Sequence, residues 1–374
     1  MTSNLKKTAL HTAVALACGL AMQQANAGAT ISFGEDKSIS VGLGMRTEFS
    51  STEDAASNGS SRSKDFSLDS LRLYMNASLN KYIKATFNTE KKSNGNQDSE
   101  IGIIDGIAQF EFMPEFNVWA GRMLPGSDRA NLDGPYYLLA WQYPFVSNYA
   151  NKTTGRDDGV AVWGKLLEGR LIYNVGAYEG NTLGTRTLGT PTGSDQLKYA
   201  GRLQYDFWTP NGAPAFYTGS TTFGTADVLS IGIAGQAQQN GAVSTTAMGD
   251  YKAWNVDFLM EKVIGSSGAV TLEGAYYKYD TDKVIAAYDG KAYLGGIGYI
   301  FADKVGWGQF QPYIRYQKYD YDVDVVKAAE KQMDYGLNYV IDGFNAKITA
   351  VYSKTDYVAS KDVDKFIVGL QLQF

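Results

Sequence analysis

The side chains that could do acid–base, nucleophilic or metal chemistry are unevenly placed in this chain. Its single histidine, His11, and its single cysteine, Cys18, both lie within the first 27 residues. The remainder therefore has no imidazole base for a serine or cysteine nucleophile. It also has no Cys/His set for zinc or haem and no pair of cysteines for a disulfide. We expect no enzymatic activity and no cofactor.

The first 27 residues have the pattern of a secretory signal peptide. Lys6 and Lys7 form a positive start, an uncharged Ala/Leu-rich stretch follows, and the small residues Ala25 and Ala27 mark a cleavage site. We expect cleavage after Ala27, so that residues 28–374 form one domain. Loss of the two lysines leaves 32 basic against 39 acidic residues, a net charge of −7. So acidic a chain is not expected to bind nucleic acid.

In strand-like segments of the remaining chain, apolar side chains recur at every second position, with small, polar or charged residues between them. In the last such segment, Phe366, Val368, Leu370, Leu372 and Phe374 share one face, and a period of two is that of a β-strand. On its own this segment fits an edge strand of a soluble protein equally well. The same alternation, however, recurs in about sixteen segments: 39–50, 66–79, 82–91, 103–112, 116–124, 158–167, 169–179, 197–208, 228–238, 251–263, 269–280, 291–301, 310–321, 330–341, 344–356 and 363–374.

The number, length and connections of these segments predict an all-β fold, a single transmembrane antiparallel β-barrel. An even number of strands of about ten to twelve residues suits tilted membrane strands. Short turns such as 80–81 alternate with longer polar loops such as 51–65, as periplasmic turns and extracellular loops do in Gram-negative outer-membrane barrels. The link 209–227 is an exception, because it is long where a short turn is expected. The terminal strand should close the barrel against segment 39–50.

About sixteen strands enclose a lumen that wall side chains alone cannot fill. The longest connection, residues 125–157, is rich in aromatic residues, and we predict that it folds into the lumen as a constriction loop. An ordinary surface loop is the alternative. The alternation and this loop together assign ten charged residues to the pore: Arg46, Arg72, Lys84, Asp105, Arg122, Asp128, Arg129, Asp133, Arg202 and Arg315. Arg122 and Arg129 flank the loop entry and are the strongest functional candidates.

Basic and acidic candidates on the lumen side are nearly balanced, which predicts a hydrophilic pore for passive diffusion with weak or anion-leaning selectivity. Two other functions stay open at this point. One is a solute-specific channel for an anion, phosphate or a small organic acid, and the other is a structural sheath that houses a partner protein. Near one long loop, Asp320, Asp322 and Asp324 could bridge a divalent cation to lipid phosphates. A solvated hairpin tip is the favoured interpretation of these three residues.

Several short motifs resemble the phosphate-selective porin O/P family of outer-membrane porins. They are the segments 69–74, 121–125, 155–164, 173–180 and 216–224. The resemblance implies a sixteen-stranded homotrimeric porin with a constricting third extracellular loop, and it accounts for the long link before the ninth strand. It also implies that Phe374 is an assembly signal for the barrel assembly machinery. Outer-membrane lipid, including lipopolysaccharide, and small hydrophilic solutes are the other implied partners.

Overall fold

The computed structural model describes residues 28–34, 36–94, 97–180, 194–210, 212–323, 325 and 328–374. The predicted signal peptide, residues 1–27, lies outside the described residues, as does Asp324. The strands are β1 Gly28–Ser32, β2 Ser38–Thr52, β3 Asp65–Ser78, β4 Ile83–Asn94, β5 Gln97–Met113, β6 Phe116–Met123, β7 Asp157–Leu166, β8 Leu171–Tyr178, β9 Lys198–Asp206, β10 Val228–Val243, β11 Met248–Ile264, β12 Gly268–Asp280, β13 Gly290–Phe301, β14 Gln309–Tyr321, β15 Ala329–Asp342, β16 Ala346–Tyr357 and β17 Val363–Gln373.

Strands β2 to β17 form a closed antiparallel barrel in which each strand pairs with its neighbours in the sequence. The barrel closes where β17 pairs with β2, from Gln373 opposite Gly44 to Lys365 opposite Thr52. This confirms the predicted sixteen-stranded barrel and its closure by the terminal strand. The short strand β1, which the alternation did not predict, pairs with the first residues of β2 and places Gly28 opposite Gly42.

Side chains alternate between the outer surface and the lumen. In β11, Trp254, Val256 and Phe258 are exposed on the outside, whereas Asn255 and Asp257 between them are buried on the inside. A wall with an apolar outer face and a polar inner face is what a barrel needs when lipid surrounds it and water fills it. Because the period is two, this arrangement follows directly from the sequence of each strand.

The connections differ between the two rims, as predicted. Strands β3 and β4, β5 and β6, and β15 and β16 are joined by short turns, whereas β6 and β7 are joined by a connection of more than thirty residues. The long link 207–227 contains no further strand among its described residues and folds into the lumen. There Phe216 packs against Trp119 and Trp163. The two tryptophan rings belong to the barrel wall and face the lumen, so the link covers an apolar part of the inner wall.

Helical structure in the described ranges is limited to short pieces. The connection between β6 and β7 contains α1, Arg129–Asp133, and a single 3-10 turn spans Ala286–Tyr288. None of the helices in these ranges is long and apolar enough to span a membrane.

Candidate functional site: the constriction loop and the pore

The connection from residue 124 to residue 156, which we name the lumen loop, lies inside the barrel. Strands far from its own strands β6 and β7 hold it there. The Arg202 guanidinium in β9 donates to the Ser127 carbonyl at 3.1 Å, and the Tyr279 hydroxyl in β12 donates to the Val146 carbonyl at 2.8 Å. On the opposite wall, the Lys347 ammonium in β16 donates to the Leu138 carbonyl at 3.2 Å. The lumen loop therefore crosses the barrel from one side of the wall to the other.

Lumen-facing cations satisfy backbone carbonyls of the lumen loop. The Arg46 guanidinium donates to the carbonyls of Pro135 and Trp141 at 3.1 and 2.5 Å and lies 3.8 Å from the centre of the Trp141 ring. Arg315 donates to the Gln142 carbonyl at 2.7 Å. A buried carbonyl without a donor is costly, so these basic residues anchor the loop in addition to setting the charge of the lumen.

Tyrosines from the barrel wall anchor a second part of the lumen loop. The Tyr277 hydroxyl donates to the Asp128 carboxylate at 2.9 Å, and the hydroxyls of Tyr251 and Tyr313 accept hydrogen bonds from the backbone N–H groups of Ala150 and Trp141. These three tyrosines are almost fully buried. The loop thus seals the side of the lumen along β11 to β14.

Two cavities remain open along the lumen. The outer cavity, about 620 Å³, reaches toward the long-loop rim, and the inner cavity, about 520 Å³, reaches toward the short-turn rim. Among the residues that line them, the two cavities share Arg72, Gly134 and Arg156. These three residues lie at the boundary between the two cavities, which we name the waist, and Gly134 belongs to the lumen loop just after α1.

The two waist arginines are each oriented by a carboxylate from the barrel wall. The Arg72 Nε lies 2.6 Å from Oε2 of Glu90, and the Arg156 Nε lies 3.0 Å from Oδ1 of Asp105. Arg72 also lies 5.2 Å from the ring centre of Tyr136 in the lumen loop. Charge-assisted hydrogen bonds of this kind fix a guanidinium and offset part of its charge. The waist therefore carries positive groups whose field is weakened by adjacent carboxylates.

Five of the ten predicted pore residues line the two cavities. Arg46 lines the outer cavity, Arg72 lines both, and Lys84, Asp105 and Asp133 line the inner one. Lys84 is paired with Glu111 at 2.6 Å. The structure therefore brings these five residues to the lining of the two cavities.

Four other predicted residues line neither cavity: Asp128 and Arg129 belong to the lumen loop, and Arg202 and Arg315 contact it from the barrel wall. Arg202 binds both carboxylate oxygens of Asp257 at 2.6 and 2.7 Å, and the Arg129 backbone N–H donates to the same carboxylate at 3.1 Å. Arg315 pairs with Asp334 at 2.8 Å. The fourth residue, Asp128, accepts from Tyr277 and Ser147. The structure therefore assigns these groups to anchoring the loop.

The prediction that Arg122 faces the lumen is wrong. In β6 the buried, lumen-facing residues are Trp119 and Met123, so Arg122 lies on the outer face with Val118 and Ala120. There it binds Asp158 at 2.7 and 2.9 Å. The prediction failed because Trp119 and Met123 are apolar and the polar Arg122 was taken for the lumen residue.

Arg156 is the waist residue that the sequence did not reveal. It immediately precedes β7 and lies in the last part of the lumen loop, where no alternation exists to orient a side chain. The one sequence feature that could have drawn attention to Arg156 is its place in the motif 155–164. That motif does not indicate whether the guanidinium faces the lumen. Its pairing with Asp105 depends on the packing of the loop against β5.

Burial changes the acidity of two carboxyl groups in the lumen loop. Burial raises the pKa of Asp133 to about 7, against an opposing effect of Arg129 and of the Ser220 hydroxyl, which donates to Asp133. Burial and the neighbouring Asp257 raise the pKa of Asp128 to about 6. Asp133 lines the inner cavity next to Gly134, so the charge beside the waist changes near neutral pH.

The described residues contain no group of three His, Cys, Asp or Glu side chains that could hold a metal ion. Asp320 and Asp322, two of the three carboxylates considered above, pair instead with Lys318 and Lys278.

Comparison with known proteins places this barrel among porins. A family model described as "Phosphate-selective porin O and P" matches residues 39–374. No curated protein matches the sequence. Among solved structures, an anion-selective porin from Comamonas acidovorans has 13% identity and a TM-score of 0.58, with 91% of this chain and 100% of that chain covered. The outer-membrane channel DcaP of Acinetobacter baumannii has 11% identity and a TM-score of 0.59, with coverage of 92% and 100%. At such identities these structures are similar in fold alone.

Proposed function

This chain belongs to the phosphate-selective porin O and P family, and from that membership we propose that its lumen is a water-filled channel across the outer membrane. Small hydrophilic solutes and ions diffuse through it passively, anions somewhat more readily than cations. The observation that carries the proposed preference is the waist, where two guanidinium groups, Arg72 and Arg156, line both cavities. A cation that lines the path of a solute attracts anions and repels cations.

The preference is modest because each guanidinium has a carboxylate beside it. Glu90 lines only the outer cavity and Asp105 only the inner one, whereas both arginines line both. Further carboxylates line each cavity, Glu48 and Asp69 in the outer one and Glu111 and Asp133 in the inner one, so an anion meets negative groups on either side before it reaches the two arginines. The family description names phosphate, but the lumen loop has one lysine, Lys152, and that lysine is paired with Asp158 and Glu179.

The test is the reversal potential of the reconstituted channel in a KCl gradient across a planar bilayer. We expect Arg156→Gln to lower the chloride-to-potassium permeability ratio, because one of the two waist cations is lost while Asp105 stays. Arg122→Gln is the matched control, since it removes the same charge from the outer face. Equal reversal potentials for wild type and Arg156→Gln would contradict the proposed role of the waist.

The observed lumen argues against one of the two alternative functions, the sheath, and is compatible with the other, the solute-specific channel. A sheath that houses a partner protein needs an open lumen, and the lumen loop crosses this one. A solute-specific channel stays compatible with the outer cavity, where Arg46 and Lys365 face Glu48 and Asp69. The substitution that separates it from a general pore is Arg72→Gln or Arg156→Gln, because these arginines line both cavities whereas Arg129 lines neither. A saturable block of conductance by one anion, lost in these variants, would favour the specific channel.

We further propose the assembly steps that family membership implies. The signal peptide is removed after Ala27, three copies associate in the outer membrane, and the barrel assembly machinery inserts each barrel. The mass of the mature protein tests the first step, and native mass spectrometry of the detergent-solubilised protein tests the second.

A further inference from the structure

The two cavities lie along one side of the lumen. Among the described residues, the strand residues that line the inner cavity belong to β1 to β7, from Thr30 to Trp163. Along β11 to β15, the short-turn half of the lumen holds residues 220–226 of the long link instead, and we name this segment the plug. The lumen loop enters from the long-loop rim and the plug from the short-turn rim, so each narrows one half of the path.

One carboxylate of the barrel wall, Glu261 in β11, holds the plug. It accepts hydrogen bonds from the Thr221 hydroxyl at 2.6 Å, the Gly224 N–H at 2.8 Å and the Thr222 N–H at 3.0 Å. The Thr222 hydroxyl also donates to it, and the Thr271 hydroxyl in β12 donates from the wall at 2.8 Å. A carboxylate has about four acceptor positions, so these donors saturate it. The Glu261 side chain is fully buried.

Apolar wall residues form a seat beneath the plug. Ala269, Ile300 and Val340 lie on β12, β13 and β15 and are buried on the lumen side. Phe223 of the plug packs against this cluster, and its ring centre lies 4.6 Å from that of Phe344. Apolar side chains that face a water-filled lumen are favourable only when another apolar group covers them. This part of the wall is therefore suited to being covered.

The plug is held in a strained backbone conformation. Phe223 has a φ of 54°, in the left-handed region that residues with a Cβ rarely adopt. Such a residue keeps its conformation only when the surrounding structure holds it there. Its two neighbours, Thr222 and Gly224, both donate their backbone N–H groups to Glu261. Loss of these hydrogen bonds should therefore release Phe223 from its strained position.

The plug and the residues just before it also support the lumen loop. The Ser220 N–H donates to the Tyr137 carbonyl at 3.2 Å, and the Ser220 hydroxyl donates to the Asp133 carboxylate. The Thr218 hydroxyl donates to the Arg129 carbonyl at 3.0 Å. The plug and the lumen loop therefore meet inside the barrel, and together they confine the open path to the side of β2 to β6.

We propose that the plug is a second constriction element of the channel and that Glu261 is the latch that holds it. Glu261 lines neither cavity, so it is a positioning residue. This inference rests on the proposed channel function. Because the two cavities have similar volumes, about 620 and 520 Å³, each half of the path carries about half of the resistance. If release of the plug roughly doubles the cross-section of the inner half, the conductance rises by about one third.

The test compares single-channel conductance of wild type and Glu261→Gln in planar bilayers. An amide has one acceptor oxygen and two N–H donors, so it cannot accept all the hydrogen bonds of the plug. We expect the conductance of inserted channels to rise by about one third. The matched control is Asp289→Asn, because Asp289 is also a buried carboxylate that accepts hydrogen bonds from a loop, at Thr281. The control should conduct like wild type. An unchanged conductance in Glu261→Gln would overturn the proposal.

A second measurement needs no current, so it separates the latch from the channel function. Residues 28–374 contain no cysteine, and Ala269→Cys therefore places a single thiol on the wall beneath the plug. A water-soluble maleimide should label this thiol about tenfold faster when Glu261→Gln is added, because local opening exposes it. Equal labelling rates with and without Glu261→Gln would contradict the role of the latch.

A further variant keeps the proposal testable if Glu261→Gln does not fold. Thr221→Ala combined with Thr222→Ala removes two hydroxyl donors from the plug and leaves the barrel wall unchanged. Its control combines Thr349→Ala and Thr355→Ala, two buried threonines of β16 that bond to neighbouring wall residues. We expect higher conductance and faster labelling of the thiol at position 269 in the plug variant than in its control. Equal values in the two variants would count against the latch.

Discussion

Asp133 offers the sharpest quantitative prediction, because its charge should change in the physiological range beside the waist. Its pKa of about 7, against an ordinary value of 3.8, means that the carboxyl group is about 10% ionised at pH 6 and about 90% ionised at pH 8. The charge on the lining of the inner cavity, which Arg72 and Arg156 also line, thus becomes more negative by roughly 0.8 of an elementary charge over that range. We expect the chloride-to-potassium permeability ratio to fall as the pH rises from 6 to 8.

The raised pKa of Asp133 also determines how the stability of the folded protein depends on pH. The folded protein holds the Asp133 proton more tightly than the unfolded chain does, because ionisation in the buried site is unfavourable. The contribution of this group to stability is therefore largest below about pH 4, declines as the pH rises toward 7, and then stays constant. Over that window the free energy of unfolding should fall by about 4 kcal/mol on account of this group.

The assay is the reversal potential in a KCl gradient at several pH values, with two variants alongside wild type. Asp133→Asn should hold the permeability ratio at its low-pH value throughout. Asp128→Asn is the matched control, because Asp128 is also a buried carboxyl group of the lumen loop but lines neither cavity. Its variant should keep the wild-type pH dependence. A wild-type ratio that does not change between pH 6 and pH 8, or a change that persists in Asp133→Asn, would refute the reasoning.

Two further predictions concern the anchoring of the loop and the closure of the barrel. Arg315→Met should lower the free energy of unfolding by about 3–5 kcal/mol, measured by urea unfolding in detergent, because Asp334 is left buried without its cation. Arg122→Met, on the outer face, should change it by less than about 1 kcal/mol. Deletion of Phe374 should reduce the yield of inserted barrels, because its backbone N–H and carbonyl are both hydrogen-bonded to Leu43. Channels that do form should keep wild-type conductance, and Phe374→Tyr should restore the yield. Normal insertion of the deletion variant would contradict a role in assembly.

The barrel was predictable because the alternation of residues within each strand shows which of its side chains face the lipid and which face the lumen. In a strand such as β17, the alternation of Phe366, Val368 and Leu370 with residues of the other face is a local property, and it holds whatever the rest of the chain does. The main differences are at the long-loop rim. There β5, β10 and β11 extend beyond the predicted ends. Above the membrane, pairing continues but the outward side chains need not be apolar, so the alternation weakens before the strand ends.

The failure at β6 shows the limit of this local argument. Trp119 and Met123 are apolar yet face the lumen, where the lumen loop and the link 207–227 cover them with Leu132 and Phe216. An apolar side chain faces inward only if another segment supplies an apolar partner there. Strand alternation does not contain that information, so Arg122 was assigned to the wrong face.

The strands, the faces of most of them, the closure of the barrel and the long aromatic connection could all be predicted from the amino-acid sequence. Which inward charges line the cavities depends instead on tertiary packing. Arg72 and Asp105 line the cavities, whereas Arg202 and Arg315 donate hydrogen bonds to the lumen loop and line neither cavity. The physical reason is that the direction of a strand side chain is set by its nearest neighbours in the chain. The partner of a lumen charge is set by how a loop of more than thirty residues packs across the barrel.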